Sequence, residues 1–124
     1  MSAFWAVCQI AAVVIMVTVN RRAASGRLKR NQWTGIRTRS TMRSDQAWVA
    51  GHRAALRLTP LYAFTTAITL IALLVAALSA PFGIVMLVGV GGLLLSVPVA
   101  LYSAIIAGRA AQSVGDDPED RQRR

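Results

Sequence analysis

The sequence predicts an all-α integral membrane protein: three transmembrane helices and a basic cytoplasmic loop that contains a short interfacial helix. Three observations predict it. No charged side chain precedes Arg21, none lies between Arg57 and Arg109, and ten of the fourteen Lys and Arg fall between Arg21 and Arg57.

Crossing a hydrocarbon core roughly 30 Å thick takes about 20 apolar residues. Residues 1–20 supply one crossing, with its helix over 3–20. No positive charge precedes the apolar run, so this helix reads as a retained anchor rather than a leader. Cys8 is the one cysteine, which rules out an internal disulfide and suits a small apolar filler. The second uncharged stretch, Leu58 to Gly108, holds 51 residues. As a single helix it would be roughly 77 Å long, so it must fold back. Ser79-Ala80-Pro81-Phe82-Gly83 is the break. The remaining spans are therefore 59–78 and 82–107, joined by a turn at 79–81. Residues 108–124 balance Arg109, Arg121, Arg123 and Arg124 against Asp116, Asp117, Glu119 and Asp120. They read as a solvated, disordered cytoplasmic tail.

Basic loops stay on the cytoplasmic side, which places 21–58 in the cytoplasm. Alternation then puts the N-terminus and the 79–81 turn outside and the C-terminus inside, in a bacterial plasma membrane. Phe4 and Trp5 fall near the outer interface, Tyr62 and Tyr102 near the inner one, where aromatic rings settle. Thr65, Thr66 and Thr69 share a face with Tyr62, and their hydroxyls are expected to bond back to their own helix. Gly89, Gly92 and Ser96 are the helix-packing candidates of the third span, Gly92 and Ser96 forming a small-x-x-x-small pair. Such a pair can pack against the first span, the second or another copy. Pro98 removes a backbone donor and is expected to bend the helix.

No Asp, Glu, Lys, Arg or His lies inside a span, which argues against a proton-coupled transporter, an ion pump or a voltage sensor. His52 has no second His, Cys cluster or carboxylate pair beside it, and no nucleophile stands at a recognisable spacing from a base. Neither a metal site, nor a cofactor, nor an enzyme is expected. The sequence pI of 11.7 would suit nucleic acid, but membrane orientation and an anionic inner leaflet account for the same charge.

The information that remains lies between Asn31 and Arg57. Asn31 to Arg43 is rich in Arg, Thr, Ser and Gly without hydrophobic period, hence an ordered loop or turn. Gly35 suits a positive φ or a close backbone approach. Ser44 is a good N-cap and Asp45 suits the positive end of a helix dipole. From there an amphipathic interfacial helix over 45–58 is expected, with Trp48, Ala55 and Leu56 on its apolar face and Arg53 and Arg57 toward water or headgroups. Trp48 reads as an interface anchor and His52 as a polar-face residue. Arg37 and Thr38, with Arg39 and Arg43 near the capped helix start, form an anion-binding cluster. Three occupants fit it: a lipid headgroup, Asp45 or a tail carboxylate, or a partner protein.

The run Asn31, Gly35-Ile36-Arg37-Thr38, Thr41, Ser44, Asp45, Trp48, His52-Arg53 resembles the signature of the SdpI-like bacterial membrane proteins. That pattern is approximately N-x-x-x-G-I-R-T-P-x-T-x-x-S-[ED]-x-x-W followed by N or H and R, and Arg39 stands here in place of its Pro. The family's namesake is an immunity protein that protects its producer from a secreted killing peptide and holds a repressor at the membrane. The resemblance implies a non-catalytic role, immunity to or sensing of a membrane-active peptide. The ten signature residues become candidates for binding anionic inner-leaflet lipids, such a peptide, or another membrane or cytoplasmic protein. The alternative expectation is an accessory subunit of a larger membrane protein complex.

Overall fold

A computed structural model describes residues 2–114. They are all-α and contain no strand: α1 (Ser2–Ala24), α2 (Asp45–Leu56), α3 (Thr59–Ser79) and α4 (Phe82–Gln112). The first, third and fourth helices are long and apolar enough to cross a membrane. Contacts divide the chain into two units, one of residues up to Ile15 with Thr59–Ala100, the other of Met16–Leu58 with the chain from Leu101 onward.

In the first unit α3 buries Tyr62, Thr66, Thr69, Leu73 and Ala76, and α4 buries Val85, Gly89, Gly92 and Val99. Most of these positions step by three or four residues, the spacing that keeps a seam facing neighbouring helices. The opposite faces expose Ile71, Leu74, Leu78, Leu87 and Leu94, as a lipid-facing surface requires. Leu73, Ala76 and Val85 form the core, with Trp5, Ala80 and Val88 against it. Lipid tails are as apolar as leucine, so close backbone approach rather than hydrophobicity must hold these helices together.

The glycines supply that approach. A Cβ on Gly89 would lie 2.5 Å from Trp5 Cγ, and one on Gly92 would run into Thr69 Cγ2. Gln9 Nε2 donates to the Gly92 carbonyl at 3.2 Å. Trp5 over Gly89 and Gln9 over Gly92 make α1 parallel to this part of α4, so Gly89 meets α1 and Gly92 meets both α1 and α3. Ser96 instead donates its hydroxyl to Leu93 O of its own helix. Thr65 donates to Leu61 O and Tyr62 O, and Thr69 to Thr65 O at 2.9 Å. Thr66 Oγ1 is buried without a partner. Tyr62, expected at the headgroup interface, is buried against the seam instead.

Gly92→Ala is therefore expected to cost about 1–3 kcal/mol of packing. Thr69→Ser, which removes Cγ2 and keeps the hydroxyl, should recover part of that loss in the double variant. Thermal unfolding in mild detergent reads both, and a single variant as stable as the parent would rule out the tight contact.

The second unit differs from expectation at its helix ends. α1 continues past Asn20 to Ala24, where Gly26 (φ 74°) turns the chain and Leu28 N–H reaches back to Arg22 O at 2.9 Å. α2 ends at Leu56 rather than 58. α4 runs to Gln112, so residues 108–112 of the expected disordered tail are helical. Packing extends it: Ala107 and Ala111 are fully buried. Arg43 donates to the carbonyls of Ala111 and Val114, and Gln112 Nε2 donates to Ser40 Oγ at 3.1 Å. The acidic stretch Asp116–Asp120 lies outside the described residues.

α2 starts where Ser44 leaves helical geometry (φ −150°, ψ 164°) and accepts the Ala47 N–H at 3.0 Å. It buries Ala47, Trp48, Gly51, His52 and Ala55, one stripe that sets two large rings among small residues. Gly51 is at the closest point. A Cβ there would sit 2.7 Å from Thr41 Cγ2 and 3.1 Å from Ala107 O.

Candidate functional site

The segment between α1 and α2 has no regular structure, so side chains must satisfy its backbone polar groups. Asn31 begins this. Its Oδ1 accepts the N–H groups of Trp33 (2.9 Å) and Thr34 (2.8 Å), and its Nδ2 donates to Lys29 O at 2.9 Å. The result is an Asx turn with Gln32, Trp33 and Thr34 at its tip. Gly35 follows at φ 101°, and a Cβ there would lie 2.6 Å from His52 Nε2 and 2.8 Å from Trp48 Cη2. Only a residue without a side chain lets the loop lie flat on both rings.

Next, Ile36 N–H donates to His52 Nε2 at 2.9 Å, while His52 Nδ1 stands 2.8 Å from Trp48 O. A carbonyl can only accept, so Nδ1 carries the proton, Nε2 keeps its lone pair, and the ring is neutral. Burial pushes the His52 pKa below its usual 6.5, and the Trp48 carbonyl opposes that shift without reversing it. The Trp48 ring lies 4.1 Å from the imidazole, and its indole N–H donates to Leu28 O at 2.9 Å. Beyond Arg37 the two threonines close a box. Thr38 N–H donates to Thr41 Oγ1 (2.9 Å), Thr41 N–H to Thr38 Oγ1 (3.1 Å), and the Thr41 hydroxyl to Ile36 O (2.8 Å).

Five of the ten candidates, Gly35, Thr38, Thr41, Trp48 and His52, are therefore joined in an internal knot through contacts and Ile36, while Asn31 closes the turn before it and Ser44 caps α2. Two expectations are corrected by it. Trp48, expected as an interface anchor, is 1% exposed, and His52, expected on a polar face, is fully buried. Hydrogen bonds to Leu28 O, Trp48 O and Ile36 N–H let those polar atoms leave water without penalty.

The other three face outward. Arg37 is exposed and donates to Gln32 O, on the residue beside Trp33. Arg53 is exposed, with Nη2 3.5 Å from Ala24 O. Asp45 pairs with Arg30 (Nε to Oδ1 3.3 Å) rather than with Arg37, and its 75% exposure makes the pair weak. Arg43, expected in the anion cluster, points instead at the end of α4, where a guanidinium suits unpaired carbonyls. An open groove of about 450 Å³ runs along α2 between Asp45 and Arg53 over Val49 and Ala50.

Sequence reasoning missed Arg30, whose Nη1 donates to Met42 O at 2.7 Å, and Trp33, which is 89% exposed. Trp33 had a legible signal, an aromatic ring one residue inside an Asn-led turn. Around the knot the surface is basic, since the described residues of this unit carry eleven Lys and Arg against Asp45 alone.

No curated protein and no solved structure matches this chain. A family model matches residues 27–106, a span that takes in the knot, α2, α3 and most of α4. With its three apolar helices, this multi-pass membrane protein belongs to the SdpI/YfhL protein family.

Proposed function

We propose that the protein is a non-catalytic component of a bacterial plasma membrane that protects against, or reports, a membrane-active peptide. Its knotted module lies in the cytoplasm and presents Arg37, Arg39 and Arg53 to inner-leaflet anions or to a partner. One observation carries this reading. The buried signature residues Thr41, Trp48 and His52 are spent on bonds within the module, leaving a basic surface as the main chemistry it offers. The excess of basic residues between Arg21 and Arg57 supports the cytoplasmic placement.

The test is survival of a sensitive bacterium expressing the protein when challenged with peptides secreted by the source strain. Arg37→Lys is expected to lose protection with membrane insertion intact, because an ammonium cannot reproduce the planar fork. Full protection by the Lys variant would leave only bulk charge and sink the specific role of Arg37. The groove on α2 favours a second reading, an accessory subunit of a larger membrane complex. Co-purification of one large partner at fixed stoichiometry, lost in Val49→Arg, would establish it.

A further inference from the structure

We infer that the turn carrying Trp33 inserts into the lipid surface, its indole at headgroup depth in an anionic leaflet and Arg37 and Arg39 on the phosphates beside it. The inference deepens the anion-binding part of the reading above and is independent of any peptide.

Exposure is built into the turn rather than left over from disorder. Trp33 is 89% exposed while its backbone N–H and that of Thr34 are both held by Asn31. A large ring left almost wholly exposed on a turn whose backbone is held is an amphipathic group presented to something else.

Its depth follows from what the loop is stitched to. Ile36 is bonded through its N–H to His52 and through its carbonyl to Thr41. Thr41 Cγ2 lies against Gly51, Gly51 against the Ala107 carbonyl, and Thr38 Oγ1 beside Gly108. Ala107 and Gly108 are the last uncharged residues of α4 before Arg109, so this is the level at which the apolar helix leaves hydrocarbon. Trp33 is three residues from Ile36, so it lies within about 10 Å of the residue through which the loop is stitched to that level, a reach on the scale of the headgroup layer. A reading by sequence distance alone, thirteen residues beyond Asn20, would have placed it far out in water.

Charge selects the kind of surface. Lys29, Arg37 and Arg39 are exposed on the same loop. The Arg37 guanidinium is tied to the carbonyl of Gln32, the residue before Trp33. Asp45 is the one acid in this unit among the described residues, and Arg30 holds it. Basic side chains at this depth gain from anionic lipid, and an indole gains from the headgroup layer, so the two act on one surface.

The test uses the full chain and its Trp33→Phe variant in vesicles of phosphatidylglycerol or phosphatidylcholine, each with and without bromine on the upper acyl chain. The difference in emission between the two proteins reports Trp33 apart from Trp5 and Trp48. Because the ring is 89% exposed, Trp33→Phe should keep the parent's circular dichroism. The expected result is blue-shifted Trp33 emission quenched by brominated lipid, more strongly in phosphatidylglycerol than in phosphatidylcholine. Quenching by aqueous acrylamide with no effect of bromine would overturn the insertion and leave the turn for a protein partner. Equal bromine quenching in both lipids would overturn the anionic selection.

Discussion

Gly35→Ala is expected to release the connection between α1 and α2 while leaving the three apolar helices in place. Two costs add at this position. The backbone sits at φ 101°, where an L side chain is strained by about 1–3 kcal/mol. The new methyl would then meet His52 Nε2 at 2.6 Å and Trp48 Cη2 at 2.8 Å. Both rings are buried and hydrogen-bonded, so neither can swing aside, and such overpacking adds about 1–3 kcal/mol. The Ile36–His52 hydrogen bond that holds the loop down contributes only about 1 kcal/mol net. The loop should therefore lift. Trypsin reads this directly, since Arg37 and Arg39 lie in the segment that would open. The variant should be cut there many times faster than the parent, and equal cleavage rates would show that the close approach carries no weight.

Acidification should loosen the same knot through His52. Its pKa in the folded protein lies below the 6.5 of the unfolded chain, because burial disfavours the charged ring. The folded state thus binds fewer protons than the unfolded one as the pH falls below about 6.5. The His52 contribution is fully present above that pH and is lost below it, with a slope that approaches about 1.4 kcal/mol per pH unit until the folded pKa is reached. The structural cause is a clash of donors. A proton on Nε2 would face the Ile36 N–H, and Nδ1 already spends its own on Trp48 O.

Two variants separate titration from packing. His52→Gln keeps an acceptor for Ile36 N–H and has nothing to titrate, whereas His52→Leu leaves that N–H unpaired at a cost of about 1–3 kcal/mol. At pH 7.5 the expected order of thermal stability is parent, then Gln, then Leu. The gap between parent and Gln should narrow at pH 5. A parent whose stability does not change across this range would remove the neutral imidazole from the account.

The spans were legible because charge is absent from them and Pro81 breaks the second blank. The start of α2 was legible because Ser44 followed by Asp45 has one good local use. The interior of the site was not, and α2 shows why. Trp48 and Ala55 of its buried stripe were legible as an apolar face, but Gly51 and His52, which share that stripe, carry no hydrophobic signal. Trp48 and His52 are buried by partners distant in sequence, Leu28 O and Ile36 N–H, and local pattern carries no trace of them. The end of α4 was misjudged for a related reason. Arg109 announces the end of the hydrocarbon, but Arg43, 68 residues before Ala111, decides where the helix stops. Gln9 was overlooked because only the Gly92 carbonyl on another helix gives its amide a use.

The central claim is that the family signature is an internal lock rather than an open site, and amide hydrogen exchange of the full chain in lipid nanodiscs tests it most directly. Ile36, Thr38 and Thr41 donate their N–H groups to His52, Thr41 and Thr38. The account predicts that these three amides exchange as slowly as those in the middle of α2, although no helix contains them. Exchange at the rate of an unstructured chain would contradict it, returning the signature residues to solvent and to a ligand of their own.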